Sequence, residues 1–491
     1  MHALSTTTWA SMLSVFIGSF LAYALYQCVF SPLAVFPGPA VAKLSKVWRA
    51  YATYRGQWHK DLIALHRRYG PVVRIGPSEL SVGDPEAFLQ IYRIANAFPK
   101  SASYSVVQGS RPFDLTGERN EKIHTAQRKL VARPYSMASS KRLEPQIDEL
   151  ISSLLRKLDI LAAEPQPIDL GYWLQLFAFD VIGAVSFTKP FGFISAGSDK
   201  GLFDRLERTM RSAAWLMHAG WFFRLHQRFI LPLFGNWLAV NDRNGYFFQF
   251  AQQEVQSRKD KGGSDMDIVG QLFQAQQTKP EINDLTIAFM MTSNVFAGSD
   301  TTSIALRGIF LNLMRYPQVV AKLRAELRQF PALIASPEAE SCPYLQAVIY
   351  ESLRIFSPAG FILDRDVPPE GMLICGRHVP GGTMVGASPW VIHRSTLIWG
   401  EDADQFRPER WLDCEDPGSL RRFFFAFGGG TRTCIGRNIS WLEIQKLVPT
   451  LLMRYDFKLP DDVKISEDCG ALVFLKGLRV NISRLEEIPV A

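Results

Sequence analysis

The chain has 491 residues, of which 47% are hydrophobic and 21% are charged, the balance of an ordinary globular protein. This balance excludes a mainly disordered chain, a collagen-like repeat and a protein with many membrane spans. The net charge of +7 is too small on so long a chain to indicate a nucleic-acid-binding protein. Six scattered cysteines exclude a disulfide scaffold and favour a reducing compartment.

The first predicted element is an apolar helix over Trp9–Phe30. Its 22 residues would extend about 33 Å, which is enough to cross a bilayer. The alternative is a cleaved signal peptide, which needs a basic start and a shorter apolar run, whereas no Asp, Glu, Lys or Arg precedes Lys43. Basic residues follow the helix, so the positive-inside rule places the rest of the chain in the cytosol. We therefore expect residues 1–36 to be a membrane anchor, with Pro37-Gly38-Pro39 as the turn after it.

Residues 37–491 show no repeat and no flexible linker, which predicts a single domain. From about 55 to 355 apolar residues recur three and four apart, as in helices, apart from strand-like runs near 72–75 and 79–82. From about 358 to 412 proline and glycine become frequent and the apolar runs shorten, which indicates short strands and turns. Helical periodicity returns after Gly436. The expected fold is mainly α with a small β-rich lobe.

A long apolar helix is predicted over about 283–315, roughly 50 Å at about 1.5 Å per residue. It is apolar on nearly every side, so we expect it to lie buried in the core. Its centre reads Ala297-Gly-Ser-Asp300-Thr301-Thr, which contradicts helix propensity. A threonine there can donate back to a carbonyl four residues earlier and open a local bulge. Taken alone, the segment is also consistent with a crossing point of small residues.

Two charged segments follow. Glu351-Ser-Leu-Arg354 places its acid and base on one helix face, three residues apart. Such pairs are usually exposed surface bridges, so this one carries no weight alone. Phe406-Arg-Pro-Glu-Arg410-Trp411 lies at the end of the turn-rich part.

The segment Phe427-Gly-Gly-Gly-Thr-Arg432-Thr-Cys434-Ile-Gly436 is a glycine-rich loop that opens a helix. A cysteine at a helix N-terminus lies near the positive end of the helix dipole and near free N–H groups, and both favour the thiolate. Glycines let the backbone approach a flat ligand, and Arg432 can pair with a ligand carboxylate. A cysteine-ligated haem has these needs. The alternative is a glycine-rich turn with an incidental cysteine.

The pattern Phe-x-x-Gly-x-Arg-x-Cys-x-Gly is matched at every fixed position. With the Glu-x-x-Arg, Pro-Glu-Arg and Ala-Gly-x-Asp-Thr segments in the same order, the chain resembles the cytochrome P-450 superfamily of haem-thiolate enzymes. The resemblance implies haem b as the cofactor and Cys434 as the axial ligand of its iron. It also implies that Asp300 and Thr301 are an acid–alcohol pair that relays protons to bound dioxygen.

Other roles follow from the same resemblance. Glu351, Arg354 and Arg410 would form a buried triad that locks the cysteine loop. Arg128 and Arg365 would pair with the haem propionates, and His124 stands where the family has tryptophan. The implied haem-binding residues are therefore His124, Arg128, Arg365, Phe427, Arg432 and Cys434. Position along the chain alone marks the expected walls of an apolar substrate pocket: Tyr104, Val106, Phe113, Phe296, Ala297, Phe361 and Leu472.

The resemblance further implies O2 as co-substrate and electrons from an NADPH–cytochrome P-450 reductase, with cytochrome b5 as a second donor, in the endoplasmic reticulum membrane. No nicotinamide or flavin motif is evident in the chain itself. Basic residues near the cysteine loop would steer an acidic partner, or form an ordinary solvated face: Arg421, Arg422, Arg437 and Lys446. The aromatic run 215–223 would be either plain core or a membrane-facing substrate entrance.

The predicted function is a membrane-anchored monooxygenase that hydroxylates, demethylates or ring-oxidises a small hydrophobic molecule. Segments 98–101, 133–137 and 424–428 resemble the pisatin-demethylase-like group of filamentous fungi, which indicates a secondary-metabolite intermediate as substrate. One alternative is a haem-thiolate lyase or isomerase that needs no reductase, against which the Asp300–Thr301 pair argues. Another is a haem-binding membrane protein that is not an enzyme, which would leave that pair without a role.

Overall fold

The computed structural model describes residues 6–109, 111–236, 238 and 245–485. Most of its helices bury an apolar face in one shared core. In chain order the helices are α1 (Thr6–Leu25), α2 (Ala40–Leu44), α3 (Lys46–Tyr54), α4 (Trp58–Tyr69), α5 (Pro85–Ile91), α6 (Ser105–Gln108), α7 (Glu121–Val131), α8 (Met137–Lys141), α9 (Glu144–Ala162), α10 (Leu170–Phe187), α11 (Phe193–Ala196), α12 (Leu202–Leu216), α13 (Gly220–Leu225), α14 (Leu231–Phe234), α15 (Tyr246–Lys261), α16 (Ile268–Gln276), α17 (Asp284–Arg315), α18 (Pro317–Leu327), α19 (Ser336–Glu340), α20 (Pro343–Ile355), α21 (Pro389–Ile392), α22 (Thr396–Trp399), α23 (Pro417–Arg421) and α24 (Arg437–Arg454).

Two long apolar helices cross the centre of the core. α17 begins where the Asn283 side chain accepts the Thr286 N–H at 2.8 Å, and it ends just before Pro317, which begins α18. It packs most extensively against α10 and also against α15, α20 and α24. α10 is apolar enough to span a membrane, but 89% of it is buried, so it is a core helix. α17 remains α-helical throughout, without the bulge that its threonines allow.

The strands are short: β1 (Val72–Gly76), β2 (Glu79–Val82), β3 (Ile168–Asp169), β4 (Arg365–Asp366), β5 (Met372–Ile374), β6 (Arg377–Val379), β7 (Met384–Gly386), β8 (Tyr455–Lys458), β9 (Ser466–Cys469), β10 (Val473–Lys476) and β11 (Arg479–Arg484). The described residues form sheets in the orders β1-β2-β7-β4, β10-β9, β3-β11-β8 and β5-β6. In the first sheet β2 pairs in parallel with β7, which joins the N-terminal strands to the predicted lobe. The mainly α fold with small sheets is confirmed, but strands β8–β11 after α24 lie where the sequence predicted helix.

The apolar span Trp9–Phe30 comprises α1 and a π-helical turn, Tyr26–Phe30, and none of it is buried in protein. The chain then enters the body at once, because Leu33 and Phe36 are buried beneath the first sheet. The predicted anchor segment 1–36 therefore ends with residues that pack in the domain.

Arg74 of β1 links this entry to the sheet. Its guanidinium donates to the Gln27 carbonyl at 2.7 Å and to the Gln27 side chain, and its backbone N–H donates to the Pro37 carbonyl at 2.7 Å. The backbones approach so closely that a Cβ on Gly38 would lie 2.1 Å from the Arg74 carbonyl oxygen. Only glycine fits this position without a shift of the backbone.

Candidate active site

A cavity of about 330 Å³ lies between α17, the cysteine loop and the first sheet. Its walls are mostly apolar, with polar groups from α7 and from the loops that flank it. The sequence-predicted residues that border it are Tyr104, His124, Arg128, Ala297, Thr301, Phe361, Arg365, Phe427, Arg432, Cys434 and Leu472. One cavity therefore brings together the predicted cysteine loop, the alcohol of α17 and most of the predicted pocket.

Three predicted pocket residues lie elsewhere. Phe296 points away from the cavity because successive side chains on a helix diverge by about 100°, and its ring packs on Phe247 with centroids 4.7 Å apart. Phe113 belongs to the main core, and Val106 belongs to a small separate cluster with Leu216 and Leu238. Position along the chain does not reveal such rotations about an element's axis.

The cysteine loop is closed by a hydrogen bond from the Cys434 N–H to the Phe427 carbonyl, 2.8 Å long. Gly430 has φ +63°, and a Cβ there would lie 2.5 Å from the Tyr92 carbonyl oxygen, so glycine is required at this turn. Cys434 precedes the first residue of α24 by three positions, and its sulfur lies near the N–H groups of Gly436 and Arg437.

The electrostatics of the Cys434 thiol are mixed. The surrounding protein desolvates the thiol and raises its pKa above the ordinary value, although the side chain is exposed to the open cavity; the two backbone N–H groups and the charge of Arg128 act in the opposite direction. The helix-terminus effect expected from the sequence is therefore present, but desolvation outweighs it. A bound metal cation would supply the missing stabilisation of the thiolate.

One side of the cavity is strongly basic, with five groups: Lys100, His124, Arg128, Arg365 and Arg432. Burial and the surrounding cations lower the pKa of His124 to about 3, so its imidazole is neutral. Its Nδ1 atom is buried and has no hydrogen-bond partner among the described residues. Arg128 likewise makes no hydrogen bond or ion pair within the described part of the chain. A wall of cations with open donors fits a ligand that carries carboxylates.

The other two arginines are held in place by the protein. Arg432 donates through Nε to the Glu121 carboxylate at 2.9 Å and through Nη1 to the Glu118 carbonyl at 2.7 Å. Arg365 donates to the carbonyls of Leu363 and Asp364 at 3.1 and 3.0 Å. Both guanidinium groups therefore have fixed positions at the cavity wall.

Sequence reasoning missed Lys100. An isolated lysine in a loop is normally exposed, and nothing in its neighbourhood marks it otherwise. In the structure its backbone forms a β-bridge with Arg365, which turns the lysine side chain inward, where it donates to the Thr116 carbonyl at 2.6 Å. Burial and the charges of Arg365 and Arg432 lower the pKa of Lys100 well below its usual value.

The Glu351 carboxylate of α20 is fully buried. Arg354 donates to both of its oxygens at 2.8 Å, and Arg410 donates to Oε1 at 2.9 Å. The Trp411 indole donates to Oε2 at 2.9 Å, and the Arg407 backbone donates to Oε1 at 2.9 Å. Two cations and two neutral donors therefore compensate one buried anion.

Asp300 and Thr301 are adjacent but face different neighbours. Thr301 borders the cavity, and its hydroxyl donates to the Ala297 carbonyl at 2.6 Å. Asp300 is fully buried on the side of α17 that meets α10, where it accepts from the Gln175 amide at 2.8 Å. Burial raises the pKa of Asp300 to about 7, and the hydrogen bond from Gln175 limits the rise. Asp300 can therefore hold or release a proton near neutral pH.

Comparison with known proteins gives one consistent result. A family model described as Cytochrome P450 matches residues 37–480. Cytochrome P450 monooxygenase hepC of Aspergillus oryzae is 54% identical over 464 residues, which is 89% of this chain and 90% of that protein. A cytochrome P450 monooxygenase of Aspergillus terreus is 35% identical over 86% of this chain and 90% of its own length. Cytochrome P450 monooxygenase cicH of Emericella nidulans is 32% identical over 93% and 94%.

Proposed function

The chain belongs to the cytochrome P450 family and is a haem-containing monooxygenase, and we propose that Cys434 is the thiolate ligand of the haem iron. The observation that carries this proposal is the shared cavity, where Cys434 lies in the glycine-rich loop and Thr301 of α17 borders the same space. The haem, when bound, supplies the activation of O2 and the insertion of one oxygen atom into the substrate. The protein supplies the sulfur ligand, the proton path and the pocket.

We assign the basic wall to the haem propionates. Arg128 and His124 have open donors, and Lys100 and Arg365 lie beside them, so four groups can share two carboxylates. Arg432 lies next to them, held by Glu121. Burial, and after it the charges of the neighbouring cations, lower the pKa of Lys100 and of His124. The negative charge of two propionates would offset the repulsion among these cations.

The Glu351–Arg354–Arg410 triad is proposed to hold the cysteine loop in place. Support comes from the complete set of donors around Glu351 and from the Trp411 ring, which packs edge-on against Phe424 just before the loop. Asp300 and Thr301 are proposed to deliver protons to the oxygen-binding side of the cavity. Because the two side chains face different neighbours, a proton that leaves Asp300 needs a bridging water to reach the Thr301 hydroxyl.

A monooxygenase of this family needs a redox partner and O2, and we propose the NADPH–cytochrome P450 reductase of the same membrane, with cytochrome b5 as a second donor. Arg421 and Arg422 are exposed, and Arg437 lies half-buried over the Phe427 ring. Lys446, which the sequence placed with them, is instead buried and pairs with Glu144 and Asp148. It cannot contribute to a docking face.

The unburied apolar helix α1 supports a membrane anchor, and we propose the endoplasmic reticulum membrane, with one catalytic domain from residue 37 onward facing the cytosol. Several large apolar side chains near α13 and α14 are exposed, which favours contact of this region with the bilayer: Trp221, Phe229, Leu233 and Phe234. Trp215 packs edge-on against Tyr54 of α3, so this region adjoins the segment that follows the anchor.

The apolar cavity favours a small hydrophobic substrate. The relatives named above come from filamentous fungi, which supports the proposal of a secondary-metabolite intermediate that is hydroxylated, demethylated or ring-oxidised. The resemblance to pisatin-demethylase-like members belongs to the same proposal.

The test is a carbon monoxide difference spectrum of the reduced protein in its membranes. A strongly red-shifted Soret band in the wild type, lost in Cys434→Ala and kept in Cys414→Ala, supports the ligand assignment. Cys414 is a suitable control because it lies in the turn before α23, away from the cavity. A red-shifted band that survives in Cys434→Ala would exclude Cys434 as the ligand.

A further inference from the structure

Gln175 of α10 lies between two charged residues of α17. Its Nε2 atom donates to Asp300 Oδ1 at 2.8 Å, and its Oε1 atom accepts from the Arg307 guanidinium. All three side chains are buried, Asp300 fully and Gln175 at 7% exposure. Gln175 belongs to no motif of the sequence and does not border the cavity.

The orientation of the Gln175 amide is set by Arg307. A guanidinium has only donors, so the amide must present its oxygen to Arg307 and its NH2 group to Asp300. Arg307 is fixed in turn, because Nε donates to the Gly171 carbonyl at 3.0 Å and Nη1 donates to the Leu475 carbonyl at 2.9 Å. The amide therefore cannot flip without losing both of its hydrogen bonds.

This orientation decides which oxygen of Asp300 carries a proton. Oδ1 accepts from Gln175 in every state, whereas Oδ2 is buried and has no partner among the described residues. We propose that Gln175, oriented by Arg307, is a positioning residue that places the exchangeable proton of Asp300 on Oδ2. When Asp300 acts, the Oδ2–H bond breaks, the proton leaves toward the oxygen-binding side, Asp300 becomes a carboxylate, and solvent reprotonates it.

The charges around Asp300 agree with a residue that changes state near neutral pH. Burial raises the pKa of Asp300 to about 7. The hydrogen bond from Gln175 and the charge of Arg307 lower this pKa, and the charge of Glu207 on α12 raises it. Glu207 is itself paired with Lys476 of β10, and Asp169 at the start of α10 acts on Arg307. Among the described residues Gln175 is the only hydrogen-bond donor to this carboxylate, so its removal leaves Asp300 without a direct hydrogen bond from them.

The inference rests on the proposed role of Asp300 as the acid, and the test separates the two. We would record the infrared carbonyl band of the protonated Asp300 in the haem-loaded wild type at pH values on both sides of about 7, assigned by its loss in Asp300→Asn. In Gln175→Leu the band should move to higher frequency, because Oδ1 no longer accepts a hydrogen bond. Its titration midpoint should rise by roughly one pH unit.

Gln271→Leu is the matched control, since Gln271 is also a buried glutamine of a core helix, at 8% exposure, but lies on α16. It should change neither frequency nor midpoint. Gln175→Met repeats the test with a more flexible side chain if the leucine variant does not fold. A band unmoved in a folded Gln175 variant overturns the positioning role.

The second readout is peroxide released per NADPH consumed, with reductase and without substrate. If Asp300→Asn leaves this ratio unchanged, the proposed role of Asp300 fails. If Asp300→Asn raises the ratio but Gln175→Leu leaves its pH dependence unchanged, the inference about Gln175 fails alone. We expect both variants to raise it, with the profile of Gln175→Leu displaced toward higher pH.

Discussion

The Nε2 atom of His393 lies 2.7 Å from the backbone nitrogen of Phe425 and accepts its hydrogen. The other ring nitrogen, Nδ1, donates to the Arg354 carbonyl at 3.0 Å, which fixes the tautomer. Burial lowers the pKa of His393 well below its usual value, so the ring stays neutral and can donate through one nitrogen while it accepts through the other. This imidazole joins the helix that carries Glu351 and Arg354 to Phe425, two residues before the cysteine loop begins.

We expect His393→Ala to loosen the loop while the domain stays folded. The change leaves a buried N–H of Phe425 and a buried carbonyl of Arg354 without partners, at about 1–3 kcal/mol each. The measurement is the share of protein with an unshifted Soret band in the carbon monoxide spectrum, which should rise on mild heating. His66→Ala, far from the loop, should behave as wild type, and a loop equally stable in both variants would contradict the link.

Glu351→Gln should destabilise the protein by about 3–5 kcal/mol, because it leaves two buried guanidinium groups without their anion. The matched control is Glu409→Gln, in the turn that carries Arg410. There the carboxylate pairs with exposed Lys322, and such a pair contributes less than about 1 kcal/mol. Urea unfolding followed by haem absorbance measures both. Equal urea midpoints for the two variants would show that the triad does not stabilise the loop.

Thr301→Ala should retain haem and the thiolate spectrum but release more peroxide per NADPH consumed. We expect a rise of roughly tenfold, which is less than the ~10²–10⁴-fold of a group that itself transfers the proton, because water can partly replace the lost hydroxyl. Thr292→Ala is the control on the same helix, since its hydroxyl also donates to a carbonyl four residues earlier, at 2.7 Å, but lies away from the cavity. Peroxide is assayed with reductase present. An identical ratio in both variants would remove Thr301 from the proton path.

Glu467 provides a pH prediction. Hydrogen bonds and charge from His59 and Lys60 overcome the opposing effect of burial and lower the pKa of Glu467 to about 2 from an ordinary 4.5. A carboxyl with a lowered folded-state pKa stabilises the protein above its ordinary value, and this contribution is lost as pH falls from about 4.5 toward 2. Glu467→Gln should therefore be less stable than wild type at pH near 7, and the difference should shrink below about 4.5.

Thermal denaturation at several pH values measures this difference. Glu370→Gln, at an exposed residue, should track the wild type throughout. If the difference in melting temperature between Glu467→Gln and wild type stayed constant down to the lowest pH, the lowered pKa of Glu467 would be contradicted.

The last prediction concerns the anchor boundary. Removal of residues up to Leu25 should leave the body stable, whereas removal up to Phe36 also deletes Leu33 and Phe36 from the core beneath the first sheet. Burial of one large apolar side chain contributes about 1.5–3 kcal/mol, so the longer deletion should lower the melting temperature clearly. Calorimetry of both purified proteins decides, and equal melting temperatures would show that these two side chains do not stabilise the sheet.

The positions of the candidate site residues along the chain were predictable where they depend on local pattern. Cys434 and Arg432 occupy fixed positions in a short loop, and α17 is a continuous apolar stretch, so sequence alone located them to within a residue or two. The position of Asp300 near the middle of α17 was predictable for the same reason. What its carboxylate contacts was not predictable, because Gln175 lies on a helix that is more than a hundred residues away in the chain.

The residues that were missed share one cause. Lys100 faces the cavity because its backbone pairs with Arg365, and His393 reaches Phe425 because a turn-rich segment folds back beneath the loop. Strands β8 and β11 also form through pairing between separate segments, as where β11 joins β3, whereas β9 and β10 form a local hairpin. Neither composition nor periodicity shows which distant segments touch, so these contacts became visible only in the structure.

If α1 anchors the protein as proposed, the attachment of Arg74 to Gln27 restricts how the body moves at the membrane. A body on a flexible tether samples many tilts, and only some of them bring its apolar rim to the lipid. Here Phe30 ends the apolar span and Leu33 is already buried in the sheet, so almost no free chain separates the two. With such an anchor, the height and tilt of the body above the bilayer would be restricted, and rotation about the bilayer normal would be the main freedom left. The proposed electron donor of the same bilayer would then be met by lateral diffusion at a fixed height.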